Sequence, residues 1–120
     1  MFELSVRSDI ASAHLIKGHE GKCKNLHGHM WKIEVTVESA QLNDLGMVCD
    51  FAVLKKRLQE VLDPLDHGCL NDVPYFKDAN PTTENIAKYV YDAMTEKVKP
   101  LNVKQVCAWE SDTSKVVYSE

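Results

Sequence analysis

A chain of 120 residues with 44% hydrophobic and 27% charged side chains is sized for one globular domain and is neither disordered nor fibrous in composition. Its net charge of −4, without a basic block, argues against a non-specific nucleic-acid binder but leaves room for an anionic small substrate met by local lysines. No apolar run reaches the roughly 20 residues of a membrane span and no signal peptide opens the chain, so a cytoplasmic protein without a membrane partner is expected.

Phe2, Leu4 and Val6 alternate with Glu3, Ser5 and Arg7, the period-2 signature of a half-buried strand that can run on to His14. A glycine-bearing loop, "IKGHEGKCKN", follows. From His27 the alternation resumes, with Trp31, Ile33, Val35 and Val37 set against Lys32, Glu34, Thr36 and Glu38. The two strands are close in sequence and pair antiparallel most simply. After the turn "QLNDLG", Asp50 is placed to cap a helix whose Leu54, Leu58, Val61, Leu62 and Leu65 share one face. Pro64 ends that helix. The segment "DHGCLNDVPYFKDANP" reads as a long polar loop of the kind that often carries function. A second helix begins at "PTTEN", with Thr82 as N-cap and Glu84 in its first turn, and runs toward Pro100 with Ile86, Val90, Ala93 and Met94 inward. "NVKQVCAWES" and "KVVYS" form a final hairpin around "SDTS". The order is β-β-α-α-β-β, which predicts an α+β domain with an antiparallel four-stranded sheet and two helices. Its open edges must be covered or paired with another chain.

The stretch "CKNLHGHMW" carries the strongest chemical signal. Residues i and i+2 of a strand point to the same face, roughly 6.6–6.8 Å apart. His27 and His29 can therefore lean together on one metal, with Zn–N of about 2.0–2.1 Å. Gly28 between them faces the other way and lets another backbone come close. His14, at the end of the paired strand, can supply a third imidazole, and three histidines with an open fourth position is the layout of a catalytic zinc site.

The four cysteines form no C-x-x-C pair, and most of them read as buried thiols. Cys23 differs, because Lys22 and Lys24 flank it and favour the thiolate. It could be the fourth ligand of a closed site or an unligated acid/base, and spacing leaves both open. Asp66 directly precedes His67, a pairing that can fix an imidazole tautomer and suit it to proton transfer. Glu110 ends a strand, where a carboxylate can take two parallel N–H bonds from a guanidine-like ligand edge.

C-x3-H-G-H together with "ASAH", "GMVCDF", "LDHGCLN", "PTTEN" and a C-terminal "WES" resembles the 6-pyruvoyl-tetrahydropterin synthase family along nearly the whole chain, 1–120 as a single domain. The short spacing from cysteine to histidine is similar to the 6-carboxy-5,6,7,8-tetrahydropterin synthase branch, of the queuosine pathway. The resemblance implies a tunnelling fold (T-fold) and a homohexamer of two stacked trimers. It implies Zn2+ on His14, His27 and His29, Cys23 with Asp66 and His67 as catalytic residues, Glu110 as the pterin anchor, and Thr82 and Thr83 lining the pterin pocket. The implied reaction converts 7,8-dihydroneopterin triphosphate to 6-carboxytetrahydropterin, acetaldehyde and triphosphate. The alternatives are 6-pyruvoyl-tetrahydropterin synthesis, or a non-catalytic module in which Cys23 closes a structural zinc site. Leu15 departs from the basic residue that relatives often carry after the first histidine, which leaves Lys17, Lys22 and Lys24 as substitutes for triphosphate contacts.

Overall fold

The computed structural model describes residues 1–120. Two 13-residue strands dominate it: β1, Phe2–His14, and β2, His27–Ser39. They pair antiparallel along their full length, from Phe2↔Ser39 to His14↔His27. The alternation seen at residues 2–7 thus does continue to His14. Helix α1, Phe51–Leu62, starts where the Asp50 carboxylate accepts the Ala52 N–H at 2.7 Å. A 3-10 turn containing Pro64 takes over at Asp63–Leu65, because proline offers no N–H to continue an α-helix. Strand β3, Gly68–Cys69, is followed by two further 3-10 turns. Helix α2, Thr83–Lys97, is capped by the Thr82 hydroxyl, which accepts the Asn85 N–H at 3.1 Å. The chain ends in the hairpin of β4, Asn102–Ser111, and β5, Ser114–Tyr118.

One expectation is corrected. The sheet has five strands in the order β3-β1-β2-β4-β5 and is mixed, not four-stranded and purely antiparallel. The additional strand lies in the segment read as loop, and it runs parallel to β1 through Ser12↔Gly68 and Ala13↔Cys69. Three contacts dock it. The His67 N–H donates to the Ala11 carbonyl at 2.6 Å, the Asp66 carboxylate accepts the Ala11 N–H at 2.8 Å, and the Ser12 hydroxyl donates to the Gly68 carbonyl at 2.6 Å. His67 takes a positive φ of 56° to make the turn, a conformation that histidine visits more often than most residues. The element order is therefore β-β-α-β-α-β-β, still an α+β arrangement with the helices segregated from the strands.

Both helices cover one face of the sheet, and a cluster of 22 buried residues fills the space between. Leu54, Leu58, Val61 and Leu62 of α1 and Ile86, Ala87, Val90 and Met94 of α2 meet Val6, Ile10, Ile33, Val35, Val37 and Val106 of the sheet. Each large side chain so buried contributes about 1.5–3 kcal/mol. The molecule is elongated along the strands, 52 × 23 × 23 Å. The same inner face therefore extends beyond the aliphatic core, and its side chains change there. On β2, Val37, Val35, Ile33 and Trp31 give way to His29 and His27, and on β1, Ile10 gives way to Ser12 and His14.

Candidate metal centre and active site

Strand register brings the three histidines together. His14 lies directly opposite His27, and Ser12 opposite His29, so all three imidazoles rise from the inner face at one end of the sheet. Ring centroids are 4.5 Å apart for His14 and His27, 5.2 Å for His14 and His29, and 4.9 Å for His27 and His29. Trp31 forms an apolar floor, its ring 4.9 Å from His14 and 5.0 Å from His29.

The hydrogen bonds around the rings decide what this cluster can hold. Nδ1 of His14 lies 2.7 Å from the Pro81 carbonyl, and Nδ1 of His27 lies 2.7 Å from the Asn25 carbonyl. A carbonyl only accepts, so in both rings the proton sits on Nδ1 and the Nε2 atom carries a lone pair. Those two Nε2 atoms face each other at 2.9 Å. Two lone pairs repel at that distance unless a cation lies between them. Burial is the main cause holding the pKa of His14 below its ordinary value, and its two imidazole neighbours add to this against the Pro81 bond and Glu110, which favours a neutral ring at His14. Nε2 of His29 is buried without a hydrogen-bond partner, a third ring nitrogen turned toward the same point. Ligand atoms of all three lie within 4.8 Å of one another. Three nitrogens held at about 2.0–2.1 Å by a tetrahedral ion stand roughly 3.3 Å apart, within small rotations of these positions. The residues fit a divalent metal. The Nδ1 bonds also fix the ring tautomers, as outer partners of metal-bound imidazoles do.

Glu110 stands beside this cluster. It shares the inner face with Val106 and Ala108 of β4, and its Oε1 is 3.6 Å from Nε2 of His29. Its other oxygen accepts the Thr83 hydroxyl at 2.8 Å, and Thr83 accepts a long bond of 3.4 Å from the Trp31 indole N–H. A polar relay thus runs from the floor of the triad through the first turn of α2 to the carboxylate. Glu110 also borders two adjoining clefts. One, of about 200 Å³, is lined by Lys22, Cys23, His27 and His29, and the other, of about 190 Å³, by Thr83, Glu84, Ser114, Lys115 and Val116.

Cys23 sits in a short 3-10 turn, Lys22–Lys24, half-buried on the wall of the cleft that holds the histidines. Of the other three, which the sequence reads as buried thiols, only Cys107 is fully buried, while Cys49 and Cys69 are half-buried. Asp66 and His67 form their pair, with Nδ1 of His67 3.0 Å from the carboxylate. The pair is not at the triad. It lies on the β3 edge, where the His67 side chain is 83% exposed and bonds to none of the three histidines, Cys23 or Glu110. The Ala11 N–H is the main cause holding the Asp66 carboxyl below its usual range, with His67 adding to it. Of the two threonines, Thr82 spends its hydroxyl on the helix cap and Thr83 faces the cleft. Gly28 is less constrained than expected, since a Cβ there would meet only the Ser12 carbonyl at an ordinary 3.6 Å.

Residues 3–120 match the family model described as 6-pyruvoyl tetrahydropterin synthase. The chain belongs to that family. Among relatives of the 6-pyruvoyl tetrahydropterin synthase family, the human 6-pyruvoyl tetrahydrobiopterin synthase is 46% identical over 103 residues, covering 82% of this chain and 70% of the human one. A 6-carboxy-5,6,7,8-tetrahydropterin synthase from Haemophilus influenzae is 32% identical over 143 aligned positions, covering all of both chains. The structure of Caenorhabditis elegans 6-pyruvoyl tetrahydropterin synthase superimposes with a TM-score of 0.89 at 27% identity, over 99% of this chain and 95% of that one. Both branches of the family are thus similar to this chain, and its three-histidine metal site is of the kind expected for their pterin chemistry.

Several parts of the site carry no motif of their own. The Pro81 and Asn25 carbonyls that orient two of the histidines are backbone atoms, silent in sequence. The Thr83–Glu110 bond joins residues 27 positions apart, and only the face shared by Glu110 and Ala108 on β4 hints at it.

Proposed function

We propose that this chain, as a single domain over 1–120, is a zinc enzyme converting 7,8-dihydroneopterin triphosphate and one water to 6-carboxy-5,6,7,8-tetrahydropterin, acetaldehyde and triphosphate, a step of queuosine biosynthesis. The observation that carries this reading is the juxtaposition of Glu110 with the triad, 3.6 Å from His29, on the border of both clefts. A carboxylate accepting paired N–H bonds there suits the amino-pyrimidine edge of a pterin, and the pterin's side chain then extends toward the histidines.

His14, His27 and His29 would hold the metal, which when bound would supply Lewis-acid polarisation of substrate hydroxyl oxygens without a redox change. Glu110, steadied by Thr83, orients the ring. Cys23 moves a proton from the wall of the same cleft. The Asp66–His67 pair moves a second proton, with Asp66 holding the Nδ1–H of His67 so that Nε2 is free to accept. Exposure of that pair suits it to serve the cleft of a neighbouring subunit, in keeping with a homohexamer built as a dimer of trimers. Lys17, Lys22 and Lys24 are the cations available to a triphosphate.

A second reading, 6-pyruvoyl-tetrahydropterin synthesis, is favoured by the 46% identity to the human relative. Carbon–carbon cleavage separates the two. Incubating the zinc-loaded protein with dihydroneopterin triphosphate and assaying acetaldehyde decides between them. Stoichiometric acetaldehyde supports the carboxy product, turnover without acetaldehyde supports the pyruvoyl product, and no turnover overturns both.

A further inference from the structure

We infer that Asn71 and Asn80 are positioning residues that set Cys23 against the histidine triad, by standing in for a strand that the sheet lacks beyond His14. The inference rests on the reading of Cys23 as the proton carrier. Strand pairing on β1 stops at His14, yet the next three residues are held as if it continued. The Leu15 N–H donates to Oδ1 of Asn71 at 2.9 Å, and Nδ2 of Asn71 donates to the Leu15 carbonyl at 3.1 Å. Two residues on, the Lys17 N–H donates to Oδ1 of Asn80 at 2.9 Å, and Nδ2 of Asn80 donates to the Lys17 carbonyl at 2.9 Å. The two amides hold the first and third residues of this run, just where the chain turns at Lys17–Gly18 and the His19 N–H returns to the Ile16 carbonyl at 3.3 Å. The residue between them reaches the cysteine: the Ile16 N–H donates to the Cys23 carbonyl at 2.7 Å.

Four side-chain bonds therefore fix the segment against which the backbone of Cys23 docks. Both clamps are themselves anchored. Asn71 follows Leu70, which is fully buried, and the Asn80 carbonyl accepts from Nδ2 of Asn85 in the first turn of α2 at 2.8 Å. The ends of the loop they stabilise, residues 15–26, are the metal-site residues His14 and His27. An amide suits this role because it donates and accepts at once. An aspartate would turn one oxygen onto a carbonyl. Neither asparagine belongs to the hydrophobic cluster, so their contribution falls on the loop and not on the core.

The test compares Asn71→Ala, Asn80→Ala and Asn80→Asp with the parent, each zinc-loaded. Four quantities are read: metal content, thermal unfolding, kcat and KM on dihydroneopterin triphosphate, and the iodoacetamide alkylation rate of Cys23 by peptide mapping, with Cys49 as internal reference. Displacement of a catalytic group by about 1 Å costs up to about 100-fold. The expected result is near-stoichiometric zinc, kcat lower by about 10–100-fold with KM changed by less than about threefold, and Cys23 alkylation altered at least about threefold against Cys49. Asn80→Asp, which keeps the acceptor but sets a carboxylate oxygen against the Lys17 carbonyl, is impaired at least as much as Asn80→Ala. Parent-like kcat and alkylation in folded variants overturns the proposal, as does failure of both alanine variants to fold, which would make the two residues structural. If the parent turns over no pterin, the functional reading fails by itself, and the alkylation ratio still tests the clamp.

Discussion

Replacing Glu110 by Gln probes the ligand class without touching the metal. In the native site one carboxylate oxygen accepts from Thr83 at 2.8 Å, which leaves the other, 3.6 Å from His29, facing the cleft. A glutamine can keep the Thr83 bond through its carbonyl oxygen. Its NH₂ then points into the cleft, donor against donor, where a pterin presents its own N–H groups. Hydrogen bonds to a charged partner are worth about 1.5–3 kcal/mol, or roughly 10- to 150-fold in affinity. The Glu110 side chain is 36% exposed, so water competes and the lower part of that range applies. The expected outcome is a Kd for a dihydropterin raised about 10- to 30-fold. Metal content should be unchanged, because all three histidines lie on β1 and β2 and Glu110 on β4. Fluorescence titration of metal-loaded parent and variant, beside metal analysis of both, measures this directly. A Kd within twofold of the parent at equal metal content would refute the anchor role and leave Glu110 a solvated strand end.

Three further outcomes are expected. Thr83→Val removes the donor to Glu110 and the acceptor for the Trp31 indole, and should lower stability by about 1–2 kcal/mol in urea unfolding while weakening pterin binding; unchanged values on both counts argue against the relay. Cys23→Ala should keep zinc near stoichiometric while turnover falls about 10²–10⁴-fold, whereas loss of metal would make Cys23 a ligand. Asp66 titrates below the ordinary carboxyl range once folded, chiefly through the Ala11 N–H, so its stabilising effect is complete above the unfolded carboxyl pKa of about 3.9 and is lost as pH falls through the lower folded value. The gap in melting temperature between parent and Asp66→Asn should accordingly close as pH drops below about 4, and a constant gap from pH 7 to 3 contradicts the assignment.

What the sequence disclosed follows the range of the interactions involved. Alternation over residues 27–39 and the capping residues Asp50 and Thr82 are local signals, and the structure has those elements where the signals put them. The triad was legible because His27 and His29 share a face by period alone, and His14 follows once two adjacent strands pair at their ends. Strand β3 was not legible. Two residues are too few to show alternation, and the contacts that dock it join Ala11 and Ser12 to residues about 55 positions away. The Asp66–His67 pair was readable as a pair, but its separation from the triad depends on that same hidden strand. The clamps of Asn71 and Asn80 were equally silent, since asparagines in a polar loop look alike whether they face water or a distant backbone.

The tetrapeptide Asn80–Thr83 has a consequence for how the site keeps its dimensions. Its first residue grips Lys17, the carbonyl of its second orients His14, and the hydroxyl of its fourth holds Glu110. Successive Cα atoms are fixed at about 3.8 Å by the peptide bond, so this run acts as a covalent gauge between the metal end and the carboxylate end of the cleft. β1 and β4 thus each take a side-chain bearing from the same few peptide units. The gauge is calibrated by the first turn of α2, through the Thr82 cap and the Asn85 bond to Asn80. Slippage of that turn would miscalibrate both ends at once, so a change at Thr82 or Asn85 should disturb His14 and Glu110 together, far apart in sequence though they are.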